Sequence, residues 1–229
     1  IDDLQEMYPI AANRAREDAG FATAASEAVV ELHAGRPGYR ALWQHFRDVS
    51  IAAMRPTYEE LGVEFDLWYG ESTIHDRLAP MIERLVTTGD AVESDGALVI
   101  DVSRPDDTKE IPPLLLVKRD GGTLYTTWDL ATVEDRVQSL GADEIVYIVD
   151  VRQSLHFEQV FRAARKTGIA PDHVVLEHPG NGTVNGADGR PLKTREGDLP
   201  LLRELIDSAV TTAAERLAEN DLGAGYPDA

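Results

Sequence analysis

The sequence predicts an α/β protein, and three observations carry that expectation. The run DEIVYIVDV (143–151) is continuously apolar, as a strand covered on both faces must be. The next segment, SLHFEQVFRAARKTG (154–168), is amphipathic at helical spacing, and HVVLEH (173–178) is a second short apolar run. Strand, helix and strand in that order make a right-handed crossover, the building block of a parallel nucleotide-binding sheet. With 229 residues, 43% hydrophobic and 28% charged, the chain is long enough and apolar enough to bury a sizeable core.

The elements follow in order. AREDAGFATAASEAVVELHAG and PGYRALWQHFRDVSIAAMRPTYEELGV repeat apolar residues at helical spacing, and Tyr39, Leu42, Phe46, Val49 and Ala53 form a stripe expected to face a core. Gly35 with Pro37, and then Gly62, punctuate the helix ends. VEFDLWYGE (63–71) reads as a strand and IHDRLAPMIERLVTTGD (74–90) as a helix. AVESDGALVIDV reads as a hairpin turning at Asp95-Gly96. PPLLLVKRDGGTLYTTWD is expected to form a second hairpin around Asp120-Gly121-Gly122. The crossover strands are expected at 144–150 and 173–177, with the helix at 155–166. LPLLRELIDSAVTTAAERLAEN closes the chain as a long amphipathic helix with a loose tail. These readings divide the chain into a helical segment (1–62), an α/β core with hairpins (63–196), and a closing helix and tail (197–229).

Composition narrows the function. Asp and Glu number 41 against 22 Lys and Arg, a formal net charge of -19, and so acidic a surface repels a polyanion over most of its area. Any nucleic-acid contact must therefore be local or come from elsewhere. There is no cysteine, hence no disulfide framework and no thiolate metal site. No apolar run approaches the ~20 residues of a membrane-spanning helix, and the start lacks the plan of a secretory signal. A cytoplasmic setting fits both. The first residue is Ile1, which fits a portion of a longer protein.

The chemistry gathers around the crossover, because ligands of open α/β sheets sit beyond the carboxyl ends of the strands. There stand Asp150, Arg152 and Gln153, followed by His156 and Gln159 three apart on one helical face. An imidazole and a carboxamide in that place suit a purine or a ribose, and equally suit plain packing of a helix start. Glu71 and Asp129 follow predicted strands. Carboxylates there suit a guanidinium, whose planar five-donor fork pairs best with carboxylate and amide oxygens; as single residues they serve equally as caps or surface groups. Finally, NGADGRPLKTREGD (185–198) sets Lys193 and Arg195 on a glycine-punctuated turn. Such a turn either closes a hairpin or offers positive charge to an anion.

YGES, DGGTLYTTWDLA, YIVDVRQSLHFEQ and VNGADGRPLKTREG occur in the order and spacing of arginyl-tRNA synthetases. The chain resembles that class I family over nearly its whole length, with ASEAVVELHAGRPGYRALWQHFRDVSI similar to the family's helical insertion. The resemblance implies the second half of a Rossmann-type catalytic domain. It lacks the N-terminal half, with its His-Ile-Gly-His type signature, and the anticodon-binding domain.

The resemblance also implies site residues. GRPLKTREG stands where other class I synthetases carry Lys-Met-Ser-Lys-Ser: Lys193 would face the ATP phosphates, and Thr194 and Arg195 would shape the loop. Glu71 and Asp129 would hold the guanidinium of arginine, Tyr125 would wall the pocket, and Gln153 would add a polar contact. His156 and Gln159 would face the adenosine. Arginine and ATP are the implied substrates, with Mg²⁺ carried on the phosphates rather than in a protein metal site. tRNA(Arg) is the partner of the complete enzyme, touched little by this acidic portion. Two further readings stay open: a paralogue that binds or activates arginine or a relative for a non-tRNA acceptor, and a non-catalytic binding module.

Overall fold

The computed structural model describes residues 2–182 and 201–219, with side chains from residue 7 onward. The chain divides into two compact units, Ile1–Asp66 with Asn185–Ala229, and Leu67–Val184.

The first unit is helical. α1 (Asp2–Glu17) and α2 (Ala19–His33) part at Asp18, whose carboxylate accepts a hydrogen bond from the Phe21 amide at 3.0 Å and caps α2. α3 (Pro37–Glu60) opens on a proline, which lacks the N–H that a first helical turn leaves unsatisfied. The closing helix, numbered α7 (Leu202–Glu219), lies near the end of α3 through an Arg203–Glu60 ion pair of 3.7 Å. No described side chain of this unit is buried. The stripe expected to face a core is therefore corrected: Leu42 and Phe46 are exposed, and Tyr39 and Val49 are only half-buried. Helical spacing identifies an apolar face without saying what covers it.

The second unit holds the core. α4 (His75–Thr88) buries Leu78, Met81 and Leu85, the i, i+3, i+7 set of one face. β1 (Val92–Ser94) and β2 (Ala97–Ile100) form the expected hairpin, with Ser94 opposite Ala97. Asp95 and Gly96 both take positive φ, 51° and 78°, the requirement of a two-residue type I′ turn that Asp-Gly meets with little strain. β3 (Leu114–Val117) lies antiparallel on the other side of β2.

Two strand expectations fail here. Residues 63–71 form no strand; Phe65, Leu67 and Tyr69 are exposed and the segment finds no pairing partner among the described residues. The second hairpin shrinks to one bridge between Val117 and Thr123, because the chain enters α5 (Tyr125–Gln138) immediately afterwards. The reason lies in two threonines. The Thr126 hydroxyl donates to the Leu115 carbonyl at 2.6 Å and the fully buried Thr127 hydroxyl to Leu116 at 2.5 Å. A turn of helix thus hangs from β3 where a returning strand was expected.

The crossover forms with the expected parallel pairing, on strands shorter than expected. β4 (Glu144–Val146) and β5 (Val175–Glu177) are parallel, bridged by α6 (Ser154–Lys166), which buries Phe157, Val160, Ala163 and Ala164. Pairing continues past the strands, with the Tyr147 amide donating to Glu177 and Asp150 bridged to Asn181. α6 also grips the irregular segment before β3. Gln159 donates to the Pro112 carbonyl, Arg162 to Val102, and Lys166 to Asp101, while Arg162 pairs with Asp107 at 2.7 Å. That pairing holds the Asp107 carboxyl below its ordinary range.

α4 and α5 are joined by ions. Glu134 and Asp135, both buried on α5, pair with Arg84 and Arg77 of α4. The helix bearing Tyr125 and Asp129 is thus fixed at its start by β3 and at its middle by α4.

Replacing Thr127 with valine keeps the shape but leaves the buried Leu116 carbonyl without its donor. Chemical denaturation is expected to show a loss of about 1–3 kcal/mol, whereas an unchanged midpoint would mean that Thr127 does not anchor α5.

Candidate functional site

Of the described site residues, Glu71, Tyr125 and Gln153 sit at the ends of elements, and Asp129, His156 and Gln159 within the first two turns of their helices. Glu71 opens a 3₁₀ turn (Glu71–Thr73) ahead of α4 and is exposed. Tyr125 is the first residue of α5, 73% exposed, and Asp129 is one turn further along the same face. Asp129 is no helix cap: Leu124 takes that place, its amide donating to the Thr127 hydroxyl at 3.2 Å.

Gln153 ends a 3₁₀ turn (Val151–Gln153) between β4 and α6. Asp150 caps that turn, accepting from the Arg152 amide at 2.8 Å and from its guanidinium at 2.8 and 2.9 Å. These hydrogen bonds hold Asp150 below the usual carboxylate range. Close packing fixes the turn from the other side: a Cβ on Gly180 would lie 2.7 Å from the Val151 Cα, so only glycine lets the chain beyond β5 rest there.

Two contacts tie these places together. The His156 ring nitrogen Nε2 stands 2.6 Å from Asp129 Oδ2, joining the first turns of α5 and α6, and both side chains are mostly shielded from solvent. His75, four residues past Glu71, stacks on Trp128, the neighbour of Asp129, with ring centroids 5.7 Å apart. The first turns of α5 are therefore linked to the start of α4 on one side and to the start of α6 on the other.

His156 and Gln159, three apart on α6, turn to different partners. His156 meets Asp129, and the Gln159 amide nitrogen donates to the Pro112 carbonyl at 2.8 Å. The spacing that suggested one shared ligand is used for two separate attachments. Lys193, Thr194 and Arg195 lie outside the described residues.

Several neighbours escaped the sequence reading. Tyr147 is buried against Phe157, at 4.6 Å between ring centroids, with the Arg136 guanidinium 4.8 Å from its ring centre. Its hydroxyl has no hydrogen-bond partner among the described residues. Burial pushes the phenol up to about 12, against the Arg136 charge and with a smaller push from Asp129. The inward alternation of YIVDV was the signal available for Tyr147; nothing in the spacing pointed to His75. Chemically, Asp129 is a held carboxylate one helical turn from the exposed phenol of Tyr125, acceptors of the kind that suit a planar cation.

The family model described as tRNA synthetases class I (R), catalytic domain, matches residues 1–224. An arginine–tRNA ligase of Hyphomonas neptunium is 49% identical over 100% of this chain and 39% of its own length. That of Alkaliphilus oremlandii is 45% identical over 96% of the chain and 38% of its own. The chain thus spans about two fifths of the length of these relatives. Among solved structures, arginyl-tRNA synthetase from Plasmodium falciparum superposes with a TM-score of 0.70 at 20% identity, over 91% of this chain and 34% of that one. The Thermus thermophilus enzyme gives 0.68 at 19% identity, over 94% and 40%. The solved structures share the fold, and the family model, matched along residues 1–224, shows that the chain belongs to the arginyl-tRNA synthetase family of class I synthetase catalytic domains.

Proposed function

We propose that this chain supplies part of the catalytic domain of an arginine–tRNA ligase, on a Rossmann-type core in a cytoplasmic protein. The substrates are arginine, ATP and tRNA(Arg). The reading is supported by 44–49% identity to arginine–tRNA ligases along essentially the whole chain, together with the held Asp129 carboxylate one helical turn from an exposed Tyr125.

In this reading Asp129 and Glu71 supply the negative charge that a guanidinium requires, Tyr125 walls the pocket and Gln153 hydrogen-bonds the amino acid. The arginine carboxylate attacks the α-phosphate of ATP, the bond to the β-phosphate breaks, and arginyl-adenylate and pyrophosphate form. The arginyl group then passes to the terminal ribose of tRNA(Arg). Little covalent chemistry falls to the protein; it must position the reactants and stabilise charge. To the Lys193 cation we assign stabilisation of the charge that builds as pyrophosphate leaves, with Thr194 and Arg195 assisting it. His156 and Gln159, expected to face the adenosine, bond to Asp129 and to the Pro112 carbonyl near the start of α6.

Among the described residues no three or more His, Cys, Asp or Glu are grouped to hold a metal ion. Mg²⁺ carried on the phosphates would neutralise their charge. The described residues also contain no helix long and apolar enough to cross a membrane. With a net charge of -19, the surface disfavours broad contact with tRNA, which falls to other parts of the full-length protein.

Two measurements on the full-length protein test this reading. Asp129→Asn removes the countercharge of a shielded cation, and calorimetry is expected to show arginine binding weakened by about 2–5 kcal/mol with ATP binding little changed. Unaltered arginine affinity would remove Asp129 from the pocket. Lys193→Ala is expected to lower arginine-dependent pyrophosphate exchange roughly 10²–10³-fold while arginine affinity stays nearly constant. Loss of arginine binding instead would make GRPLKTREG part of the amino-acid pocket.

A further inference from the structure

We infer that His156 is a positioning residue for Asp129, and that through this bond it sets the preference for a guanidinium over a neutral side chain of the same shape. The inference rests on the arginine-pocket reading above.

The geometry carries it. A carboxylate only accepts hydrogen bonds, so the His156 nitrogen 2.6 Å from Asp129 Oδ2 must be the donor. His156 is the hydrogen-bond partner of Asp129 among the described residues, and it engages one of the two carboxylate oxygens. The remaining lone pairs stay open to a ligand, while the bond removes the rotation that a solvated aspartate would retain. That restriction matters for this ligand above others. A guanidinium offers parallel N–H groups in a rigid plane, and both carboxylate oxygens must share that plane for a two-point contact.

His156 is itself braced. It stands edge-on to Phe157, with ring centroids 4.9 Å apart. Phe157 is buried and packed between Tyr147 at 4.6 Å and His178 at 4.7 Å. The Tyr147 hydroxyl beside it has no hydrogen-bond partner among the described residues, so the aromatic wall gives support rather than a second tether. The donor at Nε2 engages one Asp129 oxygen and leaves the second to a guanidinium, which gains more from a carboxylate acceptor than a neutral ureido group does.

Steady-state kinetics of the full-length protein, with arginine, ATP and the uncharged isostere citrulline, test the inference. His156→Phe is expected to raise the KM for arginine roughly 10- to 100-fold, the loss of a hydrogen bond to a charged group. The KM for ATP should stay nearly constant, and the arginine-over-citrulline ratio of kcat/KM should fall. His156→Gln, which restores an N–H donor, should recover much of both. Should His156→Phe fail to fold, His156→Asn takes its place, polar but too short to reach Asp129.

A raised KM for ATP with an unchanged KM for arginine would overturn the inference and make His156 an adenosine contact. So would equal rises in both with the arginine-over-citrulline ratio intact, the mark of a merely structural role. Asp129→Asn measured alongside separates the two levels. If it weakens arginine and the His156 variants do not, only the positioning role fails; if it leaves arginine untouched, the pocket reading fails first.

Discussion

Helix α5 has to be held still, and most of the second unit is arranged around that requirement. Its first turn carries Tyr125 and Asp129, and a free helix start would fray, because its leading amides lack partners. The Thr126 and Thr127 hydroxyls counter this by reaching back to the Leu115 and Leu116 carbonyls of β3. Further along, Glu134 and Asp135 are buried and meet Arg84 and Arg77. Removing one partner of such a pair strands a charge where water is scarce, so these contacts specify where α4 and α5 meet more than they add stability. The helix is pinned from below by a strand and from the side by another helix, and its carboxylate then joins a third element through His156.

The sequence made part of this legible. The β4–α6–β5 crossover could be read because two short apolar runs flank an amphipathic helix, although the strands alternate in burial, with Ile145 and Tyr147 buried and Val146 and Ile148 exposed. The Asp95-Gly96 turn could be read because few dipeptides accept two positive φ values in succession. The false strand at 63–71 and the false return strand after Gly122 have a common origin: short apolar segments resemble strands, but a strand exists only where another chain segment pairs with it. Thr126 and Thr127, β-branched residues that favour strands, serve here as helix anchors through their hydroxyls, and propensity carries no information about that use.

The site divides in the same way. Glu71, Tyr125, Asp129 and Gln153 are recognisable as a set only through their resemblance to a family, since each alone is an ordinary polar residue. Their linkage is a different matter. The stack of His75 on Trp128 and the bond from His156 to Asp129 join residues 53 and 27 positions apart, and local spacing cannot register such contacts. The pairing of His156 with Gln159 shows the reverse case, in which helical spacing is present but each side chain serves a separate neighbour.

The grip of α6 on the segment before β3 bears on how the two stretches can diverge. Gln159, Arg162 and Lys166 reach the carbonyls of Pro112, Val102 and Asp101, groups that every amino acid presents. Two acidic side chains of the segment also answer α6, Asp107 at 2.7 Å from Arg162 and Asp101 at 3.9 Å from Lys166. The residues around them can therefore drift in identity, lengthen their side chains or change polarity while the attachment persists, whereas the three on α6 have no such latitude. Variation tolerated on one side of the contact is bounded by chemistry on the other.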